Sequence, residues 1–316
     1  MSARSGARSR MEARGRKNLG LFYAGPMALW FTAFFLAPAL IIIAYSFLAR
    51  GIYGGVTMEF SLDAYRSLAD RIFLSITWRT LQTAIVTTVI TLIIALPCGY
   101  FMARSKKQNL LLLLIIIPFW TNFLIRVFAW MNMLGNNGFL NEIFIRLGII
   151  DSPAQFLFNQ GAVVLVLVYM YLPYAILPLF ASIDKFDFSL LEAARDLGAS
   201  KLGALARVML PNIRGGILTA VLFVFIPVFG AYAVPLLVGG RDSYMLGNMI
   251  ADQLTRARNW PRASAISMVI TLVTTAGVLL TMRARKRDAL IREQSRPSGA
   301  TPLGATPLGA TRGGQK

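Results

Sequence analysis

Glu192 and Arg195 lie in one polar stretch, residues 192–211 (EAARDLGASKLGALARVMLP), set between two long apolar runs. Charges interleaved with alanine do no bond-making chemistry. They offer ion pairs and a shallow apolar face to something that docks. The rest of the chain holds few reactive groups. It has no histidine and one cysteine, Cys98, beside Pro97 in an apolar run. A disulfide within the chain is impossible, and zinc sites built on Cys and His are excluded. Cys98 reads as a small packing residue. No buried carboxylate pair and no nucleophile–base set stands out, which argues against an enzyme. No GxxxxGK[ST] phosphate loop is present, so any ATP hydrolysis coupled to this protein belongs to another chain.

The polar stretch has punctuation of its own. Ser189-Leu190-Leu191-Glu192 fits a capping box, with Ser189 as N-cap and Glu192 three residues on. Leu190, Ala193, Ala194 and Leu197 then fall on one helical face. Gly198 can take the left-handed conformation that ends a helix. Ser200 can cap a second helix running to about Met209, and Pro211 suits the first turn of the next apolar helix. The expectation is two short helices with a glycine corner. Small side chains let such a helix seat deeply in a partner's groove. The apolar face lacks Trp and Phe, so it suits a lipid surface poorly.

Six charge-poor segments must position this hairpin: residues 18–49, 80–103, 110–134, 152–183, 215–240 and 263–282. Apolar residues make up 56% of the chain and charged residues 15%. A helix needs about 20 apolar residues to cross a hydrocarbon core of about 30 Å. All six segments qualify, and the expected fold is an all-α integral membrane protein with six transmembrane helices and both termini on one side. The first run, with its basic flank, is longer than a cleaved signal segment and reads as an uncleaved anchor.

The net charge of +18 flanks the apolar segments and forms no separate basic domain. Membrane topology accounts for it, and nucleic acid is not an expected partner. Of the 32 Lys and Arg residues, 22 lie on the side of the termini and 8 on the other, while acidic residues divide 7 and 7. The bias follows the positive-inside rule and places termini and hairpin in the cytoplasm. Residues 1–18 read as a basic cytoplasmic tail and 19–285 as the six-span domain, with the polar loop at about 184–212. Residues 286–316, with Thr-Pro-Leu-Gly-Ala twice at 301–310, read as a disordered cytoplasmic tail.

The spacing Glu192-Ala193-Ala194, then Gly198, Val208 and Leu210-Pro211 resembles the EAA coupling loop of ABC importer permeases. Two further stretches carry the likeness: Pro118-Phe119-Trp120-Thr121-Asn122-Phe123-Leu124-Ile125-Arg126, and Gly230 through Val238-Gly239-Gly240 to Asn259-Trp260-Pro261. Together, over roughly residues 20–285, they resemble the spermidine/putrescine-type permeases. The resemblance implies a type I importer permease fold with cytoplasmic coupling helices. It implies as partners ATP-binding subunits carrying ATP and Mg, a second homologous permease and a periplasmic substrate-binding protein, in a bacterial inner membrane. This chain binds no cofactor of its own in that reading. Glu192, Ala193, Ala194, Gly198, Val208, Leu210 and Pro211 are the coupling positions.

A polyamine is the substrate the resemblance suggests. No Asp or Glu lies in the six segments, and buried cationic charge needs a counter-charge or an aromatic face. An opine or amino-acid derivative stays open as an alternative, and so does a secondary transporter, which would need ionisable groups at mid-membrane. Trp120, Asn122, Arg126 and Tyr232 are the residues of a substrate path or outer gate. Counting about 1.5 Å per residue from Leu110 along a straight helix puts Arg126 roughly 24 Å along, near the outer interface, where it guards a gate or snorkels. Arg79 reads as a snorkelling residue. Pro173, Pro178, Pro227 and Pro235 are expected to kink their helices, and Trp130, Trp260 and Trp120 suit an interfacial belt.

Overall fold

A computed structural model describes residues 25–294. The basic segment 1–18 and the Thr-Pro-Leu-Gly-Ala repeats lie outside the described residues. Helix α1 spans Gly25–Ser46, α2 Arg71–Arg104 and α6 Gln160–Ile183. Helix α3, Gln108–Trp120, and α4, Phe123–Leu134, form a bent pair. Between α1 and α2 lies a two-stranded antiparallel ribbon, β1 Leu48–Arg50 and β2 Val56–Phe60, and between α4 and α6 lies helix α5, Phe139–Arg146. After α6 come α7, Ser189–Asp196, and α8, Lys201–Asn212. The remaining helices are α9 Arg214–Phe229, α10 Ala233–Val238, α11 Leu246–Thr255 and α12 Trp260–Gln294.

Among the described residues, four helices are long and apolar enough to cross a membrane, and two bent pairs raise the count to as many as six. The hydropathy segments are therefore found, with three differences. The third is broken: α3 and α4 meet at 90°. Pro118 ends α3 in a tight turn, and Asn122 Oδ1 accepts the Leu124 N–H at 2.8 Å to start α4. The straight-helix height of Arg126 falls with that bend. The fifth segment stops at Gly230 and resumes at Ala233. The helix that holds the sixth segment runs on to Gln294, beyond the apolar run itself.

Helices α2, α6 and α9 pack against one another and form the core. Their contact faces explain why. Thr80, Thr83, Ala84, Thr87, Thr88, Thr91 and Ala95 are buried along one stripe of α2. Small residues let helices approach closely where apolar burial gives little drive, because lipid is as apolar as leucine. With no water in the bilayer, the hydroxyls must find protein partners. Thr80, Thr88 and Thr91 donate to the carbonyls four residues back at 2.7–2.8 Å. Gly99 fits against the backbone of Phe180 on α6, and a Cβ at Gly216 would stand 2.1 Å from Ser182 Oγ and 2.5 Å from Ser182 Cβ. The end of α6 and the start of α9, on either side of the hairpin, thus touch nearly backbone to backbone. Helix α6 continues through Pro173 and Pro178 as one element.

Candidate functional site: the hairpin between α6 and α9

The hairpin begins with a correction. Ser189 is not the N-cap: Phe188 takes that position and no side chain caps from it. Asp187 Oδ1 instead accepts the Ser189 N–H at 3.0 Å. Hydrogen bonds from Ser189 hold the Asp187 carboxyl below its usual range. The helix starts a residue early because packing fixes Phe188, whose ring lies edge-on to Tyr100 and Phe186 at 6.0 and 5.6 Å. Glu192 is then free of a capping role and exposed.

The C-terminal end of α7 follows the sequence closely. Gly198 has φ +89°. Its N–H bonds the Arg195 carbonyl at 2.9 Å, and the Ala199 N–H bonds the Ala194 carbonyl at 3.0 Å. That pair is a Schellman stop. Ser200 Oγ accepts the Gly203 N–H at 3.1 Å and caps α8. Within α8, Leu205–Met209 widens to a π-turn just before Pro211, whose nitrogen has no hydrogen to give the Arg207 carbonyl. Pro211 closes α8 rather than opening the membrane helix. The 76° bend follows at Ile213, which is buried while Gly216 lies against Ser182.

The seven positions that the resemblance marked for coupling divide by face. Glu192, Ala193, Gly198 and Pro211 are on the surface. Ala194, Val208 and Leu210 turn inward and pack on the core, with Leu191 buried beside them. The outward apolar face is Leu190, Ala193 and Leu197, continued by Leu202 on α8. The four-residue face expected from spacing loses Ala194 because α7 also has to anchor itself. Leu197 is 90% exposed and Leu202 79%, an unusual position for leucines outside the membrane helices. Glu192, Arg195, Asp196 and Lys201 rim the concave corner at Gly198.

Of the four residues expected along a substrate path or outer gate, three sit at the two breaks and Arg126 lies in the first turn of α4. Trp120 and Asn122 lie at the α3–α4 break, Tyr232 at the α9–α10 break, and α10 packs against α4. Arg126 folds back, its guanidinium 5.7 Å from the Phe119 ring centroid. Its Nε is buried with no hydrogen-bond partner. Phe119 in turn meets Tyr174 of α6 edge-on at 4.9 Å. Trp120 is exposed, and Trp130 stacks edge-on with Tyr169 at 5.3 Å. Arg79 does not simply snorkel: it reaches Asp242 at 3.8 Å.

Sequence reasoning missed the clasp that holds the second break. Asn248 is buried on α11. Its Nδ2 donates to the Tyr232 carbonyl at 3.1 Å, and its Oδ1 accepts the Met245 N–H at 3.2 Å. Gly247 lies against the Ala231 carbonyl, where a Cβ would come within 2.4 Å. The Leu246 N–H donates to Thr80 Oγ1 at 3.0 Å, tying α11 to α2. Asn248 sits in a segment too polar for the hydropathy reading to place in the core. Among the described residues, no group of three His, Cys, Asp or Glu could hold a metal.

The family model described as "binding-protein-dependent transport system inner membrane component" matches residues 92–288. This chain belongs to that family. The chain is 39% identical to the spermidine/putrescine transport system permease protein PotB of Escherichia coli (strain K12), over 81% of this chain and 94% of that one. The corresponding protein of Haemophilus influenzae is 37% identical over 81% and 91%. The inner membrane ABC transporter permease protein YdcU of Escherichia coli is 29% identical over 86% and 92%. Two crystal structures share the fold at 15% identity. One is a bacterial ABC transporter importing the acidic polysaccharide alginate, with a TM-score of 0.67 over 88% of this chain and 99% of that one. The other is that kind of transporter with an alginate-bound periplasmic protein, with a TM-score of 0.71 over 87% and 96%. The chain is thus a multi-pass inner-membrane permease with the type I importer fold, and a transport subunit rather than an enzyme.

Proposed function

We propose that the chain is one of two permeases in an ATP-driven importer of polyamines such as spermidine and putrescine. The α7–α8 hairpin carries this reading: a Schellman-capped elbow with exposed Leu190, Leu197 and Leu202 fits a groove on a separate ATP-hydrolysing subunit. ATP and Mg act there, closing two such subunits and drawing the coupling hairpins together so that the path opens outward. A periplasmic substrate-binding protein delivers the solute. The positive bias of the hairpin side supports a cytoplasmic hairpin and cytoplasmic termini.

The relatives support the polyamine, since those 39% and 37% identical are named for it. Helices α1, α2, α3, α4, α6, α9 and α10 carry no Asp or Glu. Ammonium groups would then be met by aromatic faces such as Trp120, Tyr174 and Tyr232, all exposed, and by carboxylates of the second permease. The absence of acids in these helices also argues against a secondary transporter coupled to an ion. One observation favours a second substrate class: Arg126, with its unpaired Nε, suits a solute bearing a carboxylate, such as an opine or amino-acid derivative.

Uptake in proteoliposomes holding the whole importer separates these readings. Labelled spermidine is expected to enter only with internal ATP, undisturbed by a protonophore, and to be displaced by putrescine. Displacement by a carboxylate-bearing amine, with no effect of putrescine, would replace the substrate. Protonophore-sensitive uptake in ATP-loaded vesicles would replace the importer class.

A further inference from the structure

The turn between α2 and α3 touches the chain just before the hairpin in two places. Gln108, the first residue of α3, donates through Nε2 to the Ala103 carbonyl at 2.9 Å and to Asp184 Oδ1 at 3.1 Å. Asp184 is the residue that ends α6. Arg104, the last residue of α2, places its guanidinium 5.4 Å from the centroid of Phe188. The same guanidinium donates to the Tyr100 hydroxyl at 3.2 Å. Phe188 immediately precedes α7 and is held on two further sides by Tyr100 and Phe186. A cavity beneath α7 is shared by Tyr100, Arg104, Phe188, Glu192 and Lys201.

We propose that Gln108–Asp184 and Arg104–Phe188 form a clasp that transmits movement of the coupling hairpin to α2 and α3. Along the chain the hairpin is joined only to α6 and α9. The clasp gives it a third and fourth connection, and α2 is the helix whose threonine stripe packs on both α6 and α9. Gln108, Asp184, Arg104 and Phe188 are positioning residues. None of the four belongs to the outward leucine face; Phe188 and Gln108 are half-buried, and Arg104 and Asp184 are exposed. A cation held against an aromatic face adjusts by sliding and resists separation. The amide–carboxylate bond at the other end fixes the register between turn and hairpin.

The inference rests on the reading that α7 and α8 dock on an ATP-hydrolysing chain, and the test separates the two. The whole importer is reconstituted with Phe188→Leu, Gln108→Ala, and both together. Three quantities are read: the amount of ATP-hydrolysing chain that copurifies, the rate of hydrolysis, and labelled spermidine taken up per ATP. Copurification and hydrolysis are expected to stay at wild-type levels. Uptake per ATP is expected to fall roughly two- to thirtyfold, the span seen for residues that relay coupling, and furthest in the double variant. Phe188→Trp, which keeps a face for Arg104, is expected to restore the ratio to wild-type values. An unchanged ratio in the double variant would overturn the clasp. Loss of the copurifying chain in the variants alone would also overturn it, by making these residues part of the docking face. Absence of any such chain with the wild type would overturn the docking reading instead.

Discussion

Replacing Gly198 with aspartate is expected to leave the protein inserted in the membrane while uptake falls roughly 5- to 150-fold, the range of a coupling free energy of about 1–3 kcal/mol. The local geometry states why. Gly198 has φ +89°, and nothing lies within 4 Å of the place a Cβ would occupy. Fold stability therefore does not depend on space there. Two things change at the elbow: the backbone loses glycine's freedom, a loss that aspartate's tolerance of the left-handed region keeps small, and a negative charge enters a corner already rimmed by Glu192 and Asp196. A series separates them. Asparagine tolerates the left-handed region and adds no charge, so Gly198→Asn should retain most uptake. Gly198→Val, β-branched and strained by about 1–2 kcal/mol, should open the Schellman stop and lose uptake without any charge. Uptake and ATP hydrolysis measured side by side, with membrane-inserted protein quantified, check all three. Wild-type uptake by Gly198→Asp would mean that the elbow does not couple.

Gly216→Ala is expected to act on stability rather than on coupling. Its new Cβ would meet Ser182 Oγ at 2.1 Å and Ser182 Cβ at 2.5 Å, with the Pro178 carbonyl at 3.0 Å. The hydroxyl could rotate away, but the Cβ cannot, so α6 and α9 must part. Overpacking of this kind costs about 1–3 kcal/mol. Thermal unfolding of the detergent-solubilised complex should register the loss. Adding Ser182→Gly removes both blocking atoms and should recover much of it, less roughly 0.5–1 kcal/mol for a second glycine in a helix. A double variant no more stable than Gly216→Ala would show that the helices do not pack at this point.

Much of this architecture could be read from residue order, for identifiable reasons. Burial in lipid demands long apolar runs, so the apolar segments announce themselves. Gly198 and Ser200 are legible because the left-handed corner and the serine cap are local: the residue and its partner lie within three positions. Ser189 misled because its neighbour Phe188 is fixed by Tyr100 and Phe186, and spacing within the hairpin does not report such contacts. The break after Trp120 was hidden by the apolar character of both flanks. Hydropathy measures transfer from water and is blind to a bend. Prolines pointed both to α6, which runs on through Pro173 and Pro178, and to the fifth segment, where the break at Gly230 falls between Pro227 and Pro235. The buried Asn248 was illegible for a related cause: its amide is satisfied by the Tyr232 carbonyl, sixteen residues away, which only the folded chain brings near.

The central claim is that the outward leucine face of the α7–α8 hairpin meets an ATP-hydrolysing subunit in the cytoplasm. A photoreactive amino acid at Leu197, irradiated in the intact importer in native membranes, tests it directly. The expected product is a covalent adduct with the nucleotide-hydrolysing chain, altered in yield when ATP is trapped. Adducts confined to lipid, or formed with the periplasmic substrate-binding protein, would contradict it.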